Sequence, residues 1–180
     1  MLRLVLAATL FCCGGALAQP AADEAEDFAV APSTQLKLVG HASPTPLVVP
    51  GARTIATAEL RRELQAPLEE RPLVFDVLSD PHPSLPGAIW LPGAGLGTGF
   101  DDAVQARLAK LLRFITGGRT DRELVFLCSG PRCWLSYNAA LRAVRLGYTG
   151  VRWYRGGIEA WGESGGALRE PRVAWDRPAE

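Results

Sequence analysis

Glu123-Leu124-Val125-Phe126-Leu127-Cys128-Ser129-Gly130-Pro131-Arg132-Cys133-Trp134 is the stretch that decides the fold. Its first five residues form a short, mostly apolar run without alternation, the pattern of a central strand covered on both faces. Ser129-Gly130-Pro131 is turn chemistry. Trp134, Tyr137, Leu141 and Val144 then recur on one face of a helix over about 134–146, closed by Gly147. Strand, tight loop and helix in that order is the repeating unit of an α/β sheet.

The same unit is legible on both sides. Upstream, Pro72-Leu73-Val74-Phe75-Asp76-Val77-Leu78 reads as a second buried strand. Before it, Thr57 is a candidate N-cap for a short helix over 58–64, which Pro67 closes. Residues 80–99 hold four prolines and five glycines and read as a long loop, with a short strand at Ala88-Ile89-Trp90-Leu91. Asp101 and Asp102 can cap a helix over 103–114. There Val104, Leu108, Leu111, Leu112 and Ile115 keep helical spacing and Gly117-Gly118 ends it. Downstream, Val151-Arg152-Trp153-Tyr154 is another strand, and a short helix opens at Ile158. Strands alternating with helices predict an α/β fold, a central parallel sheet flanked by helices with right-handed crossovers.

The loop carries the chemistry. A cysteine at the carboxyl end of a buried strand faces the ligand crevice of an open α/β sheet. The loop amides and the following helix N-terminus favour a thiolate there, and the thiolate is the nucleophile. This makes Cys128 the candidate nucleophile. The amides of Ser129, Gly130, Arg132 and Trp134, with Pro131 shaping the turn, form a candidate anion-binding loop, and Arg132 adds positive charge. Cys133 lies five positions on, close enough for a disulfide if the loop curls back. A static disulfide and a redox couple, Cys128 attacking and Cys133 resolving, both fit this spacing. A buried structural cysteine is the plain alternative for Cys128.

The ends of the chain set its expected compartment. Arg3 precedes an apolar run over 4–13, and Ala16-Leu17-Ala18 supplies a small-residue cleavage site. This is the pattern of a secretory signal, expected over 1–18. The run is too short for a membrane span of about 20 residues. Its removal takes Cys12 and Cys13 with it and leaves Cys128 and Cys133, a pair that would meet an oxidising compartment. Residues 19–28, rich in Ala, Asp and Glu, read as a disordered spacer. A proline-rich, irregular lead-in follows, so 19–50 is expected to precede a folded domain over 51–170 and a charged tail over 171–180. No further long apolar stretch occurs, so no membrane span is expected in the mature chain.

Composition narrows the function classes. The 180 residues carry 19 Lys+Arg and 19 Asp+Glu, which excludes a polybasic nucleic-acid binder working by phosphate neutralisation. Hydrophobic residues make up 48%, which argues against a mainly disordered chain. His41 and His82 sit in separate proline-rich loops, so no metal site is expected. Asp76 reads as a hydrogen-bond anchor rather than an acid catalyst. Trp153, Tyr154 and Trp161 read as core, and Trp134, adjoining Cys133, as a possible pocket wall. The glycine-rich stretch over 93–99 lacks Lys-Ser/Thr and predicts no nucleotide site.

Several blocks together resemble the rhodanese-like domain family. They are Thr54-Ile55 through Leu60, Leu73-Val74-Phe75-Asp76-Val77, Leu85-Pro86-Gly87-Ala88-Ile89, the Cys128 loop, and Leu146-Gly147-Tyr148 through Gly156-Gly157-Ile158-Glu159-Ala160-Trp161. The resemblance implies a loop cysteine, here Cys128, that carries sulfane sulfur as a persulfide cradled by loop amides. Pro44-Thr45-Pro46-Leu47-Val48-Val49-Pro50-Gly51-Ala52, the stretch from Leu85 through Gly95, and Cys133-Trp134-Leu135-Ser136-Tyr137-Asn138-Ala139-Ala140 resemble a narrower exported branch. That branch is the PQQ-dependent catabolism-associated CXXCW-motif proteins. This likeness implies a periplasmic protein, with a quinoprotein dehydrogenase or its cytochrome as partner and a small sulfur donor or thiol as reactant. It implies no cofactor bound by the chain itself.

The departures redirect the expectation. Leu78 stands where rhodaneses often carry Arg. Ser84-Leu85 precede Pro86 where His is common, and Cys133 takes the place of the loop arginine, with Arg132 one position early. Four residues separate the cysteines, more than a CXXC spacing. Thiosulfate-to-cyanide transfer is therefore not the expectation. A second thiol suits persulfide or disulfide exchange, since it can displace the first sulfur's cargo. The rival reading is a non-catalytic accessory module in which Cys128–Cys133 is a fixed staple.

Overall fold

The computed structural model describes residues 24–175; the expected signal over 1–18, with Cys12 and Cys13, lies outside them, as do 19–23 of the spacer and 176–180 of the tail. A strand buried at every position needs cover on both faces. Leu124–Leu127 has it, and the rest of the chain is arranged around that need. The elements are β1 (Arg53–Thr54), α1 (Thr57–Glu63), β2 (Leu73–Asp76), β3 (Ile89–Trp90), α2 (Ala103–Thr116), β4 (Leu124–Leu127), α3 (Trp134–Arg145), β5 (Val151–Trp153), α4 (Gly157–Glu163) and β6 (Arg172–Val173). The six strands form one sheet in the order β1-β5-β4-β2-β3-β6. Every pairing is parallel, with Asp76 opposite Leu127 and Phe126 opposite Trp153. This is the expected central parallel sheet with flanking helices.

Period-two alternation splits the core into two layers. Phe75, Leu124, Phe126, Val151 and Trp153 pack with Leu108 and Leu112 of α2 and with Tyr137, Ala140 and Leu141 of α3. Val74, Val125 and Leu127 pack with Leu60 of α1 and Trp161 of α4. Cys128 continues the parity of Leu124 and Phe126, so it falls on the α3 side. Helix α2 starts and stops as its sequence dictates. Asp102 accepts the Gln105 amide as N-cap, and Gly117 ends the helix at φ 61°.

Three expectations change. Thr57 is not the N-cap of α1 but its first helical residue, after Ala56. Its amide and hydroxyl both donate to Glu24, at 3.1 and 2.5 Å to Oε2, and its hydroxyl also meets Tyr154 Oη at 2.7 Å. A carboxylate from far upstream thus does the capping. By the same contact, part of the stretch read as disordered is fixed, because Glu24 is buried. Third, the expected tail supplies a strand: β6 pairs with β3, and Trp175 is buried with its indole N–H on Pro92 O at 3.0 Å. No helix among the described residues is long and apolar enough to cross a membrane.

Candidate redox site at the end of the fourth strand

The loop after β4 folds back so that Cys128 and Cys133 stand 6.3 Å apart at Cα, joined as a disulfide. The Cys133 amide donates to Gly130 O at 3.1 Å and makes the turn. Two amides of α4 hold the loop from beneath, Ile158 N–H on Cys128 O at 3.0 Å and Glu159 N–H on Ser129 O at 2.9 Å. The chain passes under the loop at Gly157, where φ is +61° and an added Cβ would lie 2.4 Å from Cys128 O. Only a residue without Cβ meets both demands there.

From above, the lead-in clamps the loop. Thr45 donates its amide and its hydroxyl to Pro131 O, at 3.1 and 2.6 Å. The Trp134 amide donates to His41 O at 2.9 Å and its indole to Pro44 O at 3.0 Å, while Ala42 bridges to Cys133. The guanidiniums of Arg132 and Arg155 both pack on the Phe28 ring, at 4.4 and 5.0 Å from its centre. Arg155, itself buried, donates to Thr45 O, Thr45 Oγ1 and Glu24 O. The sulfurs lie under this cover: Cys128 is 1% exposed and Cys133 6%.

The structure therefore brings Cys128, Ser129, Gly130, Pro131, Arg132, Cys133 and Trp134 together, but alters the expected anion cradle. The amides of Cys133 and Trp134 already have carbonyl acceptors. A Cβ on Gly130 would lie 2.1 Å from Glu159 Oε2, so a carboxylate sits against the loop. Arg132 stacks on Phe28. Negative charge at that position opposes an anionic sulfur donor.

Sequence reasoning missed two residues. Ser136 Oγ lies 3.1 Å from Cys128 Sγ, and Trp153 Nε1 lies 3.0 Å from Ser136 Oγ. A disulfide sulfur has no hydrogen to give, so the serine hydroxyl donates to it. The indole is a pure donor and occupies the serine's lone pairs. The signal was present: Ser136 lies one turn into α3, and Trp153 pairs with Phe126, on the face that Cys128 continues.

Asp76 anchors the neighbouring loop. Its carboxylate, fully buried, accepts the Leu78 amide at 3.0 Å, His82 Nε2 at 2.6 Å and the Ser84 hydroxyl. His82 Nδ1 lies 2.5 Å from Asp80 O, so both ring nitrogens face acceptors. Burial pulls the His82 pKa down, but Asp76 and the Asp80 carbonyl outweigh it and hold it above the ordinary value. His41, by contrast, bonds Lys37 O at 2.8 Å. No group of three or more His, Cys, Asp or Glu among the described residues is placed to hold a metal ion.

A family model described as the rhodanese-like domain matches residues 56–164. Among solved structures, thiosulfate sulfurtransferase from Pseudomonas aeruginosa is similar at 19% identity and TM-score 0.50. The match covers 68% of this chain and 21% of that one, so the chain spans about a fifth of that protein's length. A Bacillus halodurans protein matches at 21% identity and TM-score 0.47, over 72% of this chain and 77% of that one. The As-Sb reductase from Leishmania major matches at 23% and 0.46, over 63% and 79%. At these identities the likeness is one of fold. The curated proteins gave no match.

Proposed function

The chain belongs to the rhodanese-like domain family, and from that premise we propose that its Cys128–Cys133 pair works by thiol–disulfide exchange rather than thiosulfate sulfur transfer. The observation that carries this reading is the hydroxyl of Ser136, set against Cys128 Sγ and oriented by Trp153. A sulfur that only staples needs no donor. A sulfur that must leave as thiolate does, because a hydrogen bond to the charged form stabilises it.

The second thiol also changes what the loop can carry. With Cys128 bonded to Cys133, a persulfide on Cys128 requires the disulfide to be opened first. Glu159 beside Gly130 and the engaged Arg132 further disfavour an anionic donor. In the reduced state, Cys128 remains able to take up sulfane sulfur, which Cys133 would then displace. The static-staple reading is favoured by one observation, the burial of both cysteines under the lead-in.

The place of action belongs to the same proposal. Arg3, the apolar run over 4–13 and Ala16-Leu17-Ala18 support export to the periplasm. The blocks over 44–52, 85–95 and 133–140 support an accessory role beside a PQQ-dependent quinoprotein dehydrogenase or its cytochrome.

The test is exchange itself. The oxidised protein is mixed with reduced glutathione, quenched with acid and weighed by mass spectrometry, and cell fractions are assayed for the chain. A glutathionylated species and a periplasmic chain are expected. An unmodified disulfide after prolonged exposure would leave the staple.

A further inference from the structure

The exchange reading leaves open which sulfur meets the partner. We propose that Cys133 is the exchanging thiol and Cys128 the buried resolving thiol, with Ser136 and Trp153 as its positioning residues. This inverts the order expected from the sequence, and it rests on the exchange reading.

Three observations carry it. Cys128 closes a buried strand and is 1% exposed, whereas Cys133, at 6%, is the nearer of the two to solvent. An external thiolate must approach in line with the S–S bond, so once the lead-in cover opens it meets the sulfur of the outer residue, Cys133, first. Cys133 is also the N-cap of α3, where the helix N-terminus favours a thiolate. The Ser136 hydroxyl meets Cys128, not Cys133. The inner sulfur therefore has a donor in place when it departs as thiolate, and a stabilised leaving group leaves faster.

The electron count closes with a dithiol as co-reactant. One thiolate of the dithiol attacks Cys133 Sγ. The S–S bond breaks and its electron pair departs on Cys128 Sγ, which receives the Ser136 O–H. The dithiol's second thiol loses its proton to solvent and attacks the sulfur bonded to Cys133, which departs as thiolate. Two electrons pass to the pair, and the dithiol leaves as a disulfide. Run backwards, the same steps reduce a partner disulfide: Cys133 attacks it and Cys128 resolves the mixed disulfide.

The experiment uses the oxidised full chain and reduced glutathione as probe, with acid quench, alkylation and digestion after arginine. Cleavage between Arg132 and Cys133 puts the two cysteines on separate peptides. Glutathione is expected on the Cys133 peptide, with Cys128 alkylated. Glutathione on the Cys128 peptide overturns the assignment while the exchange reading stands; no adduct on either peptide overturns both. For the positioning residues, thiolate absorbance of the reduced protein is titrated against pH. Ser136→Ala should raise the Cys128 transition by about one unit, or tenfold less thiolate below it, and Trp153→Phe should move it in the same direction. A residue that merely supports the fold would lower thermal stability and leave the titration in place, which would overturn the role of Ser136.

Discussion

Thr45 grips the Pro131 carbonyl twice, by its amide at 3.1 Å and by its hydroxyl at 2.6 Å, across 86 positions of sequence. Through this contact a segment outside the matched domain controls the cover of the disulfide. Thr45→Val removes the hydroxyl and leaves Arg155 Nε without that acceptor. A loss of about 1–3 kcal/mol in urea unfolding is expected. Reduction of the disulfide by dithiothreitol should also become faster, because opening the cover is part of reaching the sulfurs. An unchanged reduction rate would show that the lead-in does not gate them.

Gly157 carries the loop from the other side. Gly157→Ala introduces a Cβ into positive φ and into two backbone carbonyls of the loop. The chain must shift, and the hydrogen bonds from Ile158 and Glu159 shift with it. We expect a loss of at least about 1 kcal/mol together with slower exchange, measured by unfolding and by the glutathione assay. Gly165, also at positive φ but with open space around it, is the control, and its alanine variant should leave exchange unchanged.

Arg142 ties α3 to the start of α2. It is fully buried and bonds Asp102 at 2.8 Å and the carbonyls of Leu96 and Gly99 at 2.6 and 2.9 Å. Arg142→Ala strands those partners, and about 3–5 kcal/mol of stability should be lost. Burial raises the Asp102 carboxyl, but Arg142 and three backbone amides hold it down at about 2. A depressed carboxyl contributes stability above its ordinary 3.8 and loses it as pH falls toward 2. The Tm gap between the wild type and Asp102→Asn should therefore be constant above pH 3.8 and close below it. A gap that persists unchanged at pH 2 would contradict this.

His82 works in the opposite sense. Its pKa is raised above 6.5, so the protonated ring is favoured in the folded state. The stability it contributes is complete below 6.5 and fades as pH rises through the raised value. The wild type should lose Tm over that rise, and His82→Gln should not. Parallel curves for the two proteins would contradict the pairing with Asp76.

Much of this was legible in the chain. The apolar runs at β2 and β4, the Asp102 cap and the Gly117 stop are local signals, and local chemistry fixed them. The loop cysteines were legible because strand parity and turn residues locate them. The rest depends on partners far apart in sequence. Glu24 caps α1 from 33 positions away, and nothing near Thr57 announces it. The two-residue strands β1 and β6 are too short for periodicity, and they exist because a neighbouring strand offers hydrogen bonds. The loop amides read as a cradle until the lead-in was seen to occupy one of them. Ser136 was hidden by its type, since a serine on an apolar helix face points to no partner until the fold supplies one.

The most direct test of the account is the reduction potential of the Cys128–Cys133 pair, measured on the folded chain in a dithiothreitol redox series. Exchange predicts a potential above about −250 mV, in the range of thiol–disulfide carriers. A disulfide that stays closed below about −300 mV, as structural ones do, would contradict it.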